Sequence, residues 1–187
     1  MLNKIELKTN LSIDREIELV VLQEGNVDEL FSLVEANRSY LRSFLPWLDL
    51  TKAAEDTRFF ILRNLKEIKE RQSQTFGIRY KNNLVGVTGF NKIDWSNRNA
   101  YIGYWLSEDM QGQGIMTRSV DRIVNYAFHD LNFYRLVIRC AVENSASEAI
   151  ANRLGFQFEG VHRSAEWLYD KFVDHKCFSL LKTDLTS

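Results

Sequence analysis

The feature that most constrains this fold is a strand, a glycine turn and a helix in direct succession. Asn99–Leu106 alternates as a half-buried strand does, and Met110-Gln111-Gly112-Gln113-Gly114-Ile115-Met116-Thr117 follows it. Val120, Ile123, Val124, Ala127, Phe128 and Leu131 then recur at helical spacing, before Tyr134–Val142, which reads as a buried strand. A crossover of this length predicts a parallel pair between the two strands. Upstream, Gln74–Tyr80, the turn Lys81-Asn82-Asn83, Leu84–Phe90 and Asn99–Leu106 read as an antiparallel meander with short connections. The sheet is therefore expected to be mixed. Parallel neighbours inside an antiparallel sheet can diverge at one end, and such a gap admits an extended ligand.

The turn itself has chemistry. Gly112 and Gly114 allow positive φ and close backbone approach. A glycine turn at a helix start gathers free N–H groups at the positive end of the helix dipole, which suits a phosphate-bearing ligand. By itself this signal is weak, because many helices begin after glycine. A Rossmann reading needs G-x-G-x-x-G in an opening βαβ unit, but here Thr117 stands at the third glycine and a meander precedes the turn. The P-loop pattern is absent.

The remaining chain fits around this centre. Residues 16–23 read as a first strand, and Asn26 can cap a helix through Leu30, Phe31, Leu33 and Val34. The aromatic segment 37–48 holds the only proline, Pro46, and its side chains either pack the core or line a pocket. A second helix is expected from Thr51, carrying Phe59, Phe60, Leu62, Leu65 and Ile68, with a mixed-charge solvated face. Ser145-Ala-Ser-Glu148 matches a capping box, and Gly155 suits the C′ position of that short helix. Gly160–Tyr169 and Val173–Leu181 read as a closing strand pair. The order is β-α-α-β-β-β-α-β-α-β-β, an α/β (α+β) mixed sheet flanked by helices. Neither repeat nor interdomain linker interrupts it, so residues 1–187 read as one domain with its core at about 16–182.

Composition removes several function classes. The 24 Lys and Arg balance 25 Asp and Glu, leaving no overall basic excess to recruit nucleic acid. No apolar run reaches the roughly 18 residues needed to span a membrane, and the first residues lack a signal-peptide apolar region. A cytoplasmic protein is expected. Cys140 and Cys177 sit in apolar runs and read as buried thiols. No metal-ligand spacing occurs.

With these residues in view, the chain resembles the GNAT superfamily of N-acetyltransferases. The family's acetyl-CoA signature is Gln/Arg-x-x-Gly-x-Gly/Ala, and Gln111-Gly-Gln-Gly114-Ile-Met116 matches its first four positions. Met116 replaces the usual small last residue, a departure familiar in the Rim-type branch that acetylates ribosomal-protein N-termini. Gly103-Tyr-Trp-Leu106, Glu143-Asn144-Ser-Ala-Ser147, Arg153-Leu-Gly155-Phe156, Phe158-Glu-Gly160 and Asp174–Leu181 also resemble family motifs, as does the loop at Leu41–Trp47. The resemblance runs over roughly residues 16–182.

The resemblance implies acetyl-CoA as co-substrate, no metal, and a primary-amine acceptor. A protein N-terminal α-amine is the leading acceptor, reached by direct transfer in a ternary complex. A polyamine, amino sugar or amino-acid derivative is the alternative, and a non-catalytic acyl-CoA-binding module is the reading from another class. Backbone N–H groups of Gly112, Gln113, Gly114, Ile115, Met116 and Thr117 would hold the pyrophosphate, with Gln111 opening the loop. Strand 99–106 would pair with the pantetheine amides, and an N–H near Trp105 or Leu106 would face the developing oxyanion. Asn144 would bond the pantetheine arm, in competition with capping. In the Rim-type branch a glutamate matching Glu166 is the base and a serine matching Ser147 serves the leaving thiolate. Glu166 lies between apolar neighbours, and burial beside Trp167 would raise its pKa. Glu143 and Glu108 are reserve bases. His129 suits a helix C-terminus, while His162 and His175 have no partner visible in the sequence. The loops at 40–48 and around Trp95 are candidate acceptor walls. A homodimer stays open.

Overall fold

A computed structural model of the chain describes residues 6–186, with the Thr186 side chain excepted. Eight strands form one sheet. They are β1 (Asn10–Ser12), β2 (Ile17–Val20), β3 (Gln74–Tyr80), β4 (Asn83–Asp94), β5 (Asn99–Leu106), β6 (Arg135–Ala141), β7 (Gln157–Leu168) and β8 (Lys171–Leu181). Their order across the sheet is β1-β2-β3-β4-β5-β6-β8-β7. Five helices cover it: α1 (Val27–Ala36), α2 (Arg38–Leu41), α3 (Ala54–Lys69), α4 (Ile115–Asn125) and α5 (Ser145–Arg153).

The expected mixed sheet is present, and its one parallel pair is β5 with β6. Only Asn99–Ile102 pairs with Arg135–Ile138. Gly103–Leu106 and Arg139–Ala141 run on without pairing to each other, which opens the gap at the end of β5 that leads into the glycine turn. A bulge in β4 between Phe90 and Lys92 adjoins this point. There the Asn91 amide lies over Gly103, where a Cβ would stand 2.1 Å from Nδ2. At 103 glycine leaves room for the side chain that β4 sends across it.

Two apolar clusters fix the layers. The residues that α4 buries, Ile115, Met116, Val120, Ile123 and Val124, join Ile17, Leu19, Phe76, Ile78, Phe90, Ile102, Leu136, Ile138, Phe178 and Leu180 from the strands. Leu30 and Val34 of α1 and Ile61 of α3 pack with Leu22, Leu84 and Val87, with Trp105 against them. The 3.6-residue period of each helix meets the two-residue period of the sheet in these clusters.

Several local expectations need correction. Strand β1 is additional: Asn10–Ser12 pairs with β2, too short a run to show a period. Asn26 occupies the N-cap position of α1 but makes no capping bond; its Oδ1 accepts the Gln23 N–H at 2.9 Å instead. The second long helix begins at Ala54 and not Thr51, because Pro46–Leu50 coils first and the Asp56 carboxylate accepts the N–H groups of Lys52 (2.8 Å) and Ala53 (3.0 Å). The cap of α5 is Asn144, whose Oδ1 accepts Ser147 N–H at 3.0 Å; Glu148 pairs with Lys176 at 2.6 Å and leaves no capping box. The α4 run ends in a π turn over Tyr126–Asp130, which carries His129.

Candidate active site

The gap between β5 and β6 opens into a cavity of about 210 Å³. Tyr104, Trp105 and Leu106 form one wall, Gln111 and Met116 come from the glycine turn, and Glu143–Ser147 with Ile150 close the α5 side. Tyr40 and Leu41 of α2, with Phe44 and Leu45 just after it, cover it. The backbone at the strand edge is accessible by ladder logic. Ser107 N–H donates to Val85 O at 2.8 Å, so Trp105, two residues earlier, also turns its backbone toward β4. The N–H and C=O groups of Tyr104 and Leu106 then face the gap. Leu106 O already accepts Gln111 Nε2 at 3.2 Å, which braces the turn against the strand end. Of the Trp105 and Leu106 N–H groups, Leu106's faces the gap.

The glycine turn has the required conformation. Gly112 and Gly114 take φ of 73° and 72°, and α4 starts at Ile115. The first turn of a helix leaves N–H donors without intrahelical partners, and those of Ile115, Met116 and Thr117 stand there. No acidic side chain occupies that first turn. Arg153 Nη1 donates to Thr117 Oγ1 at 3.0 Å, adding positive charge beside the helix start. Gln113 is held by Asp109 O at 3.3 Å. The Met116 side chain is buried in the core beneath the turn, so its bulk leaves the backbone path open. Such a cradle fits an anionic, extended ligand of the coenzyme A type. Among the described residues no group of His, Cys, Asp and Glu is arranged to hold a metal.

Ser147 lines this cavity on the first turn of α5. Its Oγ is 2.9 Å from Tyr104 Oη, which also donates toward Ser147 O at 3.3 Å. Burial pushes the Tyr104 phenol well above its ordinary value, with the Ser147 hydrogen bond opposing. The phenol is therefore protonated at neutral pH and acts as a donor. Tyr104 went unassigned in the sequence, although the alternation Ile102-Tyr104-Leu106 places it on one sheet face with two buried residues. Cys140 carries a thiol pushed up by burial, and so does Cys177. Neither has the exposed, electropositive setting of a reactive thiolate. Asn144 uses one acceptor site of its Oδ1 on the cap, and its amide N–H groups are not used there.

A second cavity, about 450 Å³, adjoins the first and shares Phe44 and Glu143 with it. Arg42, Ser43 and Asp49 form one side; Leu168, Tyr169, Asp170, Lys171 and Val173 form the other. Tyr169 Oη donates to Leu45 O at 2.5 Å, and Arg42 stacks 3.7 Å over its ring while pairing with Asp49 at 2.9 Å. Segment 40–48 is thus a wall of both cavities. The Trp95 loop is not a wall: it precedes β5 at the end opposite the glycine turn, with Nε1 donating to Arg71 O at 2.7 Å and its ring packed on Phe133. Glu108 lines neither cavity; its N–H is taken by Asn37 Oδ1 at 2.8 Å.

Glu166 stands on β7 opposite Val173, sharing a face with Val173 and Leu168 just beyond the lining of the larger cavity. Trp167 does not bury it. Trp167 is 52% exposed, points to the other face and pairs its ring with Phe172 at 4.8 Å. Glu166 meets His175 instead, Oε2 to Nε2 at 3.3 Å.

Residues 16–157 match the model of the acetyltransferase (GNAT) domain. The chain belongs to the GNAT acetyltransferase family. Within that family, it is 33% identical to the ribosomal-protein-serine acetyltransferase of Escherichia coli K12, over 88% of this chain and 92% of that protein. The structure of RimL, a ribosomal α-N-protein acetyltransferase, superposes with a TM-score of 0.89 at 32% identity, covering 92% and 97% of the two chains. That protein was solved with coenzyme A joined to a cysteine by a disulfide. The microcin C7 self-immunity acetyltransferase MccE, solved with acetyl-CoA and AMP, also gives 0.89 at 30% identity, over 95% and 98%. The E. coli K12 spermidine N(1)-acetyltransferase is 28% identical over 58% of this chain and 56% of its own length. The mixed sheet with its splayed parallel pair is the GNAT fold, and the chain is an N-acetyltransferase by family.

Proposed function

We propose that this GNAT enzyme acetylates the N-terminal α-amine of a protein, a ribosomal protein first among the candidates, by direct transfer from acetyl-CoA in the cytoplasm. The observation that carries this reading is the pair of adjoining cavities. The smaller lies where the two parallel strands part, at the glycine turn; the larger opens from it past Phe44 and Glu143. A thioester in the first would meet an amine arriving through the second. The larger cavity mixes Arg42 and Lys171 with Asp49, Glu143 and Asp170. An acidic groove would suit a polyamine; a slot of mixed charge suits a chain end with its peptide groups and side chains.

Acetyl-CoA supplies an activated acyl group on a thiolate leaving group. The chain's residues supply the rest. Main-chain donors of Gly112–Thr117 would bind the pyrophosphate, and the free edge of β5 would align the pantetheine arm as an added strand. Leu106 N–H would face the oxyanion. An α-amino group titrates at roughly 7.7–8, so a sizeable share is already neutral near neutral pH, and a carboxylate beside it takes the proton that the nitrogen becomes acidic enough to release as the C–N bond forms. Glu166 fills that role here, with Glu143 at the cavity junction holding the incoming ammonium. Ser147, oriented by Tyr104, would donate a hydrogen bond to the departing thiolate; as a weak acid it stabilises the charge and does not carry the proton alone.

The test is thiol release from acetyl-CoA with three acceptors: ribosomal-protein N-terminal peptides, the same peptides with blocked α-amines, and spermidine. Turnover confined to the free-terminus peptides is expected. Turnover with spermidine and none with any peptide would replace the acceptor assignment.

A further inference from the structure

We propose that His175 is a positioning residue for Glu166: the imidazole on β8 holds the carboxylate on β7 toward the acceptor cavity and shares the proton the carboxylate removes. This inference rests on the assignment of Glu166 as base.

The placement comes from an irregular register. His162 pairs with His175, and the next matched pair is Glu166 with Val173. Strand β7 therefore advances four residues while β8 advances two. The excess forms a bulge in which Ser164 takes φ 49° and its N–H binds Asp174 Oδ1 at 2.7 Å. Bulges re-aim side chains, and this one sets Glu166 diagonally across from His175. Both lie on the face that carries Ala141, Val173 and Leu168, three residues of the larger cavity.

His175 is deeply placed, its side chain 13% exposed against 31% for Glu166. Its Nε2 is buried and makes no well-formed hydrogen bond among the described residues. The 3.3 Å approach of Glu166 Oε2 is within ion-pair range but off the hydrogen-bond direction. Catalytic hydrogen bonds are often misaligned before substrate binds and tighten in the complex. A buried imidazole nitrogen with a single carboxylate in reach points to that carboxylate as its working partner. The other ionisable groups around it are His162 across β7, Arg139 along β6 and Glu143 after β6; Arg139 is drawn to the Tyr101 ring at 5.0 Å.

The proton balance is simple. The nitrogen lone pair forms the C–N bond as the carbonyl pair moves to oxygen, and the amine N–H proton moves to Glu166; the oxyanion then re-forms the carbonyl, the C–S bond breaks, and the thiolate leaves with its electron pair. From the carboxyl group the proton passes to the lone pair on neutral His175 Nε2, leaving imidazolium beside carboxylate, and solvent then removes it. Glu166 touches the acceptor; His175 acts through Glu166.

The experiment compares wild type, Glu166→Gln and His175→Gln with saturating acetyl-CoA and peptide, reading kcat against pH. General-base catalysis contributes roughly 10²–10⁴-fold, and a partner sharing the proton is expected to hold about tenfold of it. His175→Gln should lower kcat about tenfold with the peptide KM within about twofold. The acid limb of the profile should change with it, because one of the two groups that share the proton is gone. A collapse in Glu166→Gln with kcat and acid limb intact in His175→Gln overturns the inference and leaves the base assignment standing. Full activity in Glu166→Gln removes the base assignment itself. A readout free of turnover is the NMR spectrum of the His175 ring. Its ring-nitrogen and ring-proton signals should move in Glu166→Gln, which removes the carboxylate facing Nε2; unmoved signals overturn the pairing even if His175→Gln does not fold.

Discussion

Gly114→Ala separates the two demands that the glycine turn makes on its residues. A Cβ built at Gly114 has nothing within 4 Å, so packing does not require glycine there. The backbone does, because φ is 72°. Holding alanine in that region costs about 1–2 kcal/mol. For a chain of this size each kcal/mol lowers Tm by ~2–4 °C, so a fall of ~2–8 °C is expected. Gly155 is a matched control. It has φ 78° and equally empty surroundings, but it follows the C-terminus of α5, where unpaired carbonyls disfavour an anion. Its alanine variant should lose the same stability. The ligand response should differ. At about a hundredfold excess over Kd, acetyl-CoA adds ~2.7 kcal/mol, a rise of ~5–10 °C by the same conversion. If the Gly114 Cβ weakens the pyrophosphate contact about tenfold, ~1.4 kcal/mol disappears and the rise is roughly halved. Gly155→Ala should keep it whole. Thermal melts with and without acetyl-CoA measure all four quantities. A complete ligand shift in Gly114→Ala, or an equal loss in Gly155→Ala, would refute the cradle.

Three other outcomes are expected. Ser147→Ala should cut kcat about tenfold or more with acetyl-CoA affinity nearly unchanged, and should cost only about 1 kcal/mol of stability because Tyr104 Oη keeps Ser147 O at 3.3 Å; thiol-release kinetics and isothermal titration separate the two, and unchanged kcat removes Ser147 from the chemistry. Glu159, held by hydrogen bonds from Arg135 and Ser179, has its carboxyl lowered from 4.5 to about 2. A depressed acid stabilises above its unfolded value and loses that contribution as pH falls through the folded one, so Glu159→Gln should flatten the stability loss between pH ~4.5 and ~2 in denaturant titrations; an unchanged slope would contradict the pairing. Cys140→Ala and Cys177→Ala should retain acetyl transfer when folded, and mass-spectrometric trapping of an acetyl-thioester on either would overturn direct transfer.

The site was legible in the sequence to unequal degrees. Gln111–Thr117 could be read because its chemistry is main-chain and local: glycine conformation and a helix start are properties of adjacent residues. Ser147 was singled out through its family motif, and the structure places it on the cavity wall. Tyr104 was not, although alternation put it on one face with Ile102 and Leu106, because nothing local says which side chain a strand residue will meet across a gap. Glu166 was placed beside Trp167 by adjacency, yet neighbours on a strand point to opposite faces, and the residue it meets is nine positions away on the next strand. The Trp95 loop shows the converse. Its aromatic character suggested a pocket, but its position before β5 puts it at the far end of the sheet from the glycine turn.

By itself the sequence determined the order of strands and helices apart from the short β1 and α2, the parallel pair implied by the crossover helix, and the conformation of the glycine turn. These follow from periodicity, connection length and glycine's freedom at positive φ, all of which act over short stretches of chain. Only the tertiary structure decided where β5 and β6 part, that Tyr104 reaches Ser147, that Phe44 and Glu143 join two cavities, and that Glu166 faces His175. Those depend on the extent of pairing and on bulges in β4 and β7, which arise from contacts between residues distant in sequence and leave no period to read.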